Sequence, residues 1–240
     1  MTGVSVPQRI TRTALALWVG SAAVFVALAA VIGSAGRAVP AEPITATTAG
    51  PPGSRGPVVA FYGDSYTLGT GASSPEHRWS TLLSVEHGWT EVNPSVNGLG
   101  FVNHRADVSD DLVDQIIAAR PDIVIVTMGL NDNFSMPGRA DRIRSAITAD
   151  FTKITAELPA ARVIVVEPFW YTDDRPDTVE RIIGWVRAGA AAIDADYVPG
   201  ASHWLDGHPE WKAGDGLHPN DEGYRVLADR MDEELRSLGI

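Results

Sequence analysis

From residue 58 onward, short β-branched apolar runs alternate with segments whose apolar residues recur every three or four positions. VVAFYG (58–63), DIVIVTMG (122–129) and RVIVVEP (162–168) are nearly continuous apolar runs, the pattern of strands covered on both faces. Residues 91–96 form a weaker fourth candidate. Between the runs, Ser109 is placed to cap a helix in SDDLVDQIIAAR, with Asp110 and Asp111 set favourably against the helix dipole. Ile143, Ile147, Phe151, Ile154 and Leu158 mark a second helix, and Val179, Ile182, Ile183, Val186 and Ile193 a third. Tyr224, Leu227, Met231, Leu235 and Leu238 mark the last, capped by Asn220 just after Pro219. The alternation predicts βα units on a mainly parallel sheet, an α/β fold of three layers, α/β/α. Ligands of open parallel sheets bind beyond the carboxyl ends of the strands. Ser65, residues 129–132 and residues 168–171 each follow a predicted strand, so three loops should meet at one edge.

The first 36 residues follow another pattern. The uncharged run from Thr13 to Gly36 is long enough as a helix to cross a bilayer, and an uncharged stretch of that length argues against a buried core helix. It reads as a signal anchor or a signal peptide, and small residues from Gly33 to Ala41 leave cleavage open. Arg9 and Arg12 precede it, which assigns the N-terminal side to the cytoplasm and everything after it to the extracytoplasmic side. Residues 37–57 are rich in Pro, Gly, Ala and Thr without periodicity and read as a linker to a domain spanning 58–240.

With Arg9, Arg12, Arg37 and Glu42 set apart, residues 43–240 carry a net charge of −13, out of −11 for the whole chain. So acidic a domain is a poor binder of nucleic acid or anionic lipid. The chain has no cysteine, which excludes disulfides and thiolate metal sites. Two lysines stand against seventeen arginines, a bias of composition without a functional reading.

Candidate chemistry sits in four short stretches. GDS (63–65) follows the first strand, but the tripeptide alone does not separate a nucleophile from a serine in a turn. GDGLHPN places Asp215 three residues before His218. An imidazole that activates a hydroxyl needs a partner to hold its tautomer, and an aspartate on the same turn could be that partner, or the stretch could be a solvated Asx-type turn. GLND (129–132) puts the Asn131 amide at the end of a buried strand, and VNGLGF offers the unhindered N–H of Gly98, both candidate donors to an oxyanion.

In that order the four stretches resemble the blocks of the SGNH hydrolases, also called GDSL esterases and lipases: GDS, a glycine within NGLGF, GxND and DxxH. The resemblance spans about Val58 to Leu238. It implies a flavodoxin-like three-layer hydrolase fold with Ser65 as nucleophile, His218 as general base and then acid, and Asp215 orienting His218. The backbone N–H groups of Ser65 and Gly98 and the Asn131 side chain would form the oxyanion hole; Gly100 fits the local pattern almost as well as Gly98. It implies a serine esterase with no metal or organic cofactor, acting on a small-molecule or glycan ester such as a short acyl ester or an acetylated envelope glycan. An O-acyltransferase acting on a carbohydrate hydroxyl and a silent carbohydrate-binding module on the same fold are the competing readings. An imidazole base predicts activity rising from mildly acidic to neutral pH.

Other motifs fail. Thr67 stands where the nucleophile elbow G-x-S-x-G requires glycine, Asn103 breaks a dinucleotide fingerprint at GLGFVN, and no P-loop is present. His203, Asp206 and His208 offer a D-x-H pair or a metal cluster but lack a supporting motif. His77, His87 and His104 read as surface or loop residues. Trp170, Tyr171 and Trp204, with Trp211, are candidates to line a substrate cleft or simply to pack beneath loops.

Overall fold

A computed structural model of the chain describes residues 56–240. The expected membrane segment, and the linker up to Arg55, lie outside the described residues. Among the described residues no helix is long and apolar enough to cross a membrane.

Five strands, β1 (Val58–Tyr62), β2 (Thr90–Val92), β3 (Ile123–Val126), β4 (Arg162–Val166) and β5 (Asp196–Val198), form one sheet in the order β2-β1-β3-β4-β5. Every pairing is parallel, with Val59 opposite Ile123 and Ile125 opposite Ile164. The predicted strands are therefore present, the weak fourth candidate shortened to three residues, and β5 is added at the edge. Side chains alternate between two cores: Val59, Phe61, Ile125, Ile164 and Val166 face one, and Ala60, Tyr62, Val124, Val126, Val163 and Val165 the other. Because both faces are covered, both phases of the alternation are apolar, which makes the runs nearly continuous in sequence.

The six α-helices among the described residues are α1 (Ser65–Leu68), α2 (Trp79–His87), α3 (Leu112–Ala119), α4 (Ala140–Glu157), α5 (Asp177–Ala192) and α6 (Asp221–Ser237). Leu83 of α2 and Tyr224, Leu227, Met231 and Leu235 of α6 fill the first core. Ile116 of α3, Ile143, Ile147, Phe151 and Ile154 of α4, and Ile182, Val186 and Ala190 of α5 fill the second. The result is the three-layer α/β/α sandwich expected.

Two caps show how local chemistry sets the boundaries. Asn220 Oδ1 accepts from the N–H of Gly223 at 3.0 Å and starts α6, as read from sequence. For α3 the cap is Asp111 rather than Ser109: the Asp111 carboxylate accepts from the N–H of Val113 at 3.0 Å, while the Ser109 hydroxyl bonds Asp110. Asp111 also receives two hydrogen bonds from Arg105, which fix it at the helix start and leave Ser109 outside the helix.

Strand order reverses between β1 and β3, since the chain leaves β1 toward β2 and returns on the other side. A crevice opens at such a point, beyond the carboxyl ends of the two strands. Ser65 opens α1 three residues after β1 ends, and Gly129 to Asn131 follow β3.

Candidate active site

Ser65 is the first residue of α1. Asp64 caps this short helix through Oδ1, which accepts from the N–H of Tyr66 at 3.0 Å, and the helix closes at Gly69 with φ 90°. Its start packs so tightly that a Cβ on Gly63 would lie 2.3 Å from Thr67 Oγ1 and 2.6 Å from Thr127 Oγ1, so only glycine fits there. Ser65 is 5% exposed, and among the described residues its hydroxyl has no hydrogen-bond partner. No side-chain N or O atom cut off from solvent lacks a partner among those residues, so Ser65 Oγ opens to solvent.

The Asp/His turn is built around one carboxylate. Asp215 Oδ1 accepts from the backbone N–H groups of Leu217 at 2.9 Å and His218 at 3.0 Å, and Oδ2 lies 2.7 Å from His218 Nδ1. That contact puts a proton on Nδ1 and turns Nε2 outward as an acceptor without a protein partner among the described residues. Partial burial raises the Asp215 carboxyl, but the bonds from the His218 ring and the two N–H groups outweigh it and hold the group below its usual range. The His218 side chain keeps 13% of its surface exposed. The D-x-H pair read from sequence, Asp206 and His208, does not form: His208 turns to Glu210, while Asp206 lies 2.8 Å from His203 Nδ1 and also accepts from Arg175, which reaches His203 Nδ1 as well.

The 98–103 loop and Asn131 complete the neighbourhood. Asp132 accepts from the N–H groups of Phe101, Val102 and Asn103 at 2.7–3.1 Å and so wraps the loop around one buried carboxylate. Gly100 donates its own N–H to Asn103 O at 2.9 Å, and a Cβ there would strike the Asp132 carboxyl at 2.6 Å. Gly98, at φ 72°, carries an N–H with no acceptor among the described residues, as does Ser65 at the head of α1. The Asn131 amide spends both hydrogens inside the protein, on Leu99 O at 3.0 Å and on Asp64 Oδ2 at 3.2 Å. Asp64 is buried without a cation. Desolvation pushes its carboxyl up to about 7, with nearby Asp132 adding to the rise and the Tyr66 N–H opposing it.

The remaining sequence candidates fall outside this cluster or beneath it. Trp170 and Trp204 are buried in the core, Trp170 donating from Nε1 to Thr172 Oγ1 and Asp174 O and Trp204 packing near Phe169. Tyr171 stays partly exposed, its carbonyl accepting from Lys212 Nζ at 2.5 Å. Trp211 stacks on His208 with centroids 3.5 Å apart, and His208 contacts Glu210. No group of three His, Asp or Glu able to hold a metal ion occurs among the described residues. His87 is more than a surface residue: it ends α2, is mostly buried, bonds Asp232 at 2.8 Å and stacks on Trp89.

One residue of this neighbourhood was not read from sequence. Tyr66, directly after Ser65, donates its phenol to Leu217 O at 2.6 Å, and its ring lies 5.9 Å from the imidazole of His218. The signal was present as an aromatic residue beside the serine.

A parallel sheet whose strand order reverses beside a serine-bearing helix, with an Asp–His turn and two unused N–H groups among its loops, suits ester hydrolysis, and the chain's relatives place it among the carboxylic ester hydrolases. The pattern of the GDSL-like lipase/acylhydrolase family matches residues 61–226. A GDSL lipase of Mycobacterium tuberculosis, Rv0518, is 30% identical over 182 residues, covering 72% of this chain and 79% of that protein. The chain belongs to the GDSL-like lipase/acylhydrolase family. Its fold is that of esterases solved at lower identity. The psychrotrophic esterase EstA from Pseudoalteromonas, inhibited by monoethylphosphonate, has a TM-score of 0.62 at 18% identity and covers 75% of this chain and 97% of its own. A point mutant of Axe2, an acetyl-xylooligosaccharide esterase from Geobacillus, has a TM-score of 0.56 at 20% identity and covers 81% and 97%.

Proposed function

We propose that the protein is a serine esterase working through an acyl-enzyme, with Ser65, His218 and Asp215 as its triad. The observation that carries this reading is the outward Nε2 of His218, set by the Asp215 carboxylate on Nδ1, on a turn bonded to the helix that begins with Ser65. Ser65 Oγ attacks the ester carbonyl carbon as Nε2 takes its proton. The intermediate collapses, the C–O bond to the alcohol breaks, and the alcohol oxygen leaves with the proton from Nε2. Water then attacks the acyl-enzyme by the same route, releasing the acid and restoring the Ser65 hydroxyl.

The N–H groups of Ser65 and Gly98 receive the oxyanion. Asn131 joins them by giving up its longer bond, the 3.2 Å contact with Asp64. With its carboxyl near 7, Asp64 is partly neutral at the working pH and a weaker acceptor for that amide, which eases the exchange. No step calls for a metal or organic cofactor.

For substrate we propose short acyl esters, including acetylated envelope glycans, met on the extracytoplasmic side by a domain held at the membrane through residues 13–36. Support comes from the arginines that precede that run and from the acetyl-glycan specificity named for Axe2. The acidic balance of the domain argues against nucleic acid as a partner.

The test is Ser65→Ala in the full chain, assayed on p-nitrophenyl acetate and with a fluorophosphonate label. Turnover and labelling should both vanish; a variant that still labels removes Ser65 from the role. Adding a carbohydrate acceptor to the wild-type assay separates hydrolysis, which yields free acid, from acyl transfer.

A further inference from the structure

The turn bearing Asp215 and His218 is closed largely upon itself. Ala213 N–H bonds His218 O at 2.8 Å, Gly216 N–H bonds Ala213 O at 2.9 Å, and Lys212 pairs with Pro219 across its base. Its orientation relative to the sheet edge must therefore come from contacts with other segments. Among the described residues one hydrogen bond joins residues 213–219 to any segment beyond 210–220: the 2.6 Å bond from the Tyr66 phenol to Leu217 O.

Tyr66 is unusually well fixed for this task. Its N–H is held by Asp64, its carbonyl accepts from Trp79 Nε1 at 3.1 Å, and its ring stacks on Phe169 with centroids 5.8 Å apart. The ring is 1% exposed, and burial pushes the phenol well above its ordinary range, so it remains a donor. The accepting carbonyl belongs to Leu217, whose N–H is already bonded to Asp215, and the next residue is His218. A rigid side chain adjacent in sequence to Ser65 thus grips the peptide between Asp215 and His218.

Resting on the serine esterase reading above, we propose that Tyr66 is a positioning residue for the reaction, its phenol holding the Leu217 carbonyl so that the His218 imidazole keeps its register with Ser65. Tyr66 touches no substrate atom in this role. Its effect is on how often the imidazole is aligned when the hydroxyl attacks, which is a demand on kcat rather than on substrate binding.

Tyr66→Phe tests this in the full chain, because it keeps the ring packing and removes only the donor. Tyr62→Phe is the matched control: Tyr62 is equally buried and gives a 2.6 Å bond to Asp150 in the other core. Reactive sites are counted by fluorophosphonate titration, and turnover of p-nitrophenyl acetate is expressed per titrated site. Tyr66→Phe should lower kcat about tenfold with KM within about twofold, a loss on the scale of one hydrogen bond. Tyr62→Phe should leave both within about twofold while lowering Tm as much as Tyr66→Phe does. An unchanged kcat per site in Tyr66→Phe, or an equal loss in Tyr62→Phe, overturns the positioning role while the esterase reading stands. A wild-type chain that neither labels nor turns over overturns both. If Tyr66→Phe fails to fold, Tyr66→Met, which also lacks a donor and does not overfill the site, replaces it, with the same expectations for kcat and KM.

Discussion

Among the described residues three turns pair an aspartate with a histidine three residues apart; one, His104 and Asp107, is largely exposed, and the other two make nearly equal contacts: 2.7 Å for Asp215 and His218, 2.8 Å for His203 and Asp206. Their surroundings part them. Asp215 spends its other oxygen on two backbone N–H groups of its own turn, so its single side-chain partner is the imidazole, and the far nitrogen of that ring faces outward. Asp206 instead receives the guanidinium of Arg175, whose side chain is 5% exposed and also bonds Ser202 Oγ and Asp173 O. That carboxylate clamps the loop after β4 to the loop after β5, and His203, 59% exposed, lies at its margin. Spacing creates the pair in both places; what else the carboxylate holds decides whether it serves an imidazole or a scaffold.

The largest expected effect separates the two histidines. His218→Ala should lower kcat by about 10³- to 10⁴-fold, the scale of losing a triad base, in steady-state assays on p-nitrophenyl acetate. Equal losses in His218→Ala and His203→Ala would abolish the distinction.

A third carboxylate sharpens the comparison because it pairs with no cation among the described residues. Asp206 and Asp215 are both held below the usual range, Asp206 by Arg175 and His203 against partial desolvation, whereas burial pushes Asp64 up to about 7. Between about pH 4 and 7 the folded chain keeps a proton on Asp64 that the unfolded chain has released. Its contribution to stability is full below that window and is lost as pH rises through 7. Asp64→Asn, which can still cap α1, removes this titration. The stability of wild type minus variant should fall by about 2–4 kcal/mol between pH 4 and 8 in urea unfolding. A constant difference would mean that Asp64 is ionised throughout.

Asp206→Asn should cost about 1–3 kcal/mol of stability by leaving buried Arg175 short of its counter-charge, with kcat changed less than twofold. The smallest effect belongs to His203→Ala, for which stability and kcat should both stay close to wild type. Thermal unfolding and turnover measured on the same preparations read both.

The same logic explains what the chain revealed in advance. Strands β1, β3 and β4 were legible because burial on both faces leaves no polar phase, and α4 and α6 because each turns one apolar stripe inward. Helix α2 was not: Ser80, Thr81 and Ser84 are buried within it, Ser80 and Thr81 bonding Glu91 and Ser84 the backbone of Ser80, so polar residues stand where the periodicity expects apolar ones. Strand β5 is three residues at the sheet edge, Val198 buried and Asp196 and Tyr197 partly covered, too short for an alternation. Motif order named Ser65, Gly98, Asn131, Asp215 and His218 as the candidate site. The occupation of the Asn131 amide by Leu99 and Asp64, and the tether from Tyr66 to Leu217, depend on contacts between segments 32 to 151 positions apart and leave no local trace.

The most direct measurement is a crystal structure of the full chain after reaction with a phosphonate ester. The account predicts density continuous with Ser65 Oγ, a phosphoryl oxygen within about 3 Å of the N–H groups of Ser65 and Gly98 and of the Asn131 amide, and His218 Nε2 beside the phosphorus. Phosphonate attached elsewhere, or attached to Ser65 with that oxygen facing away from all three donors, would contradict it.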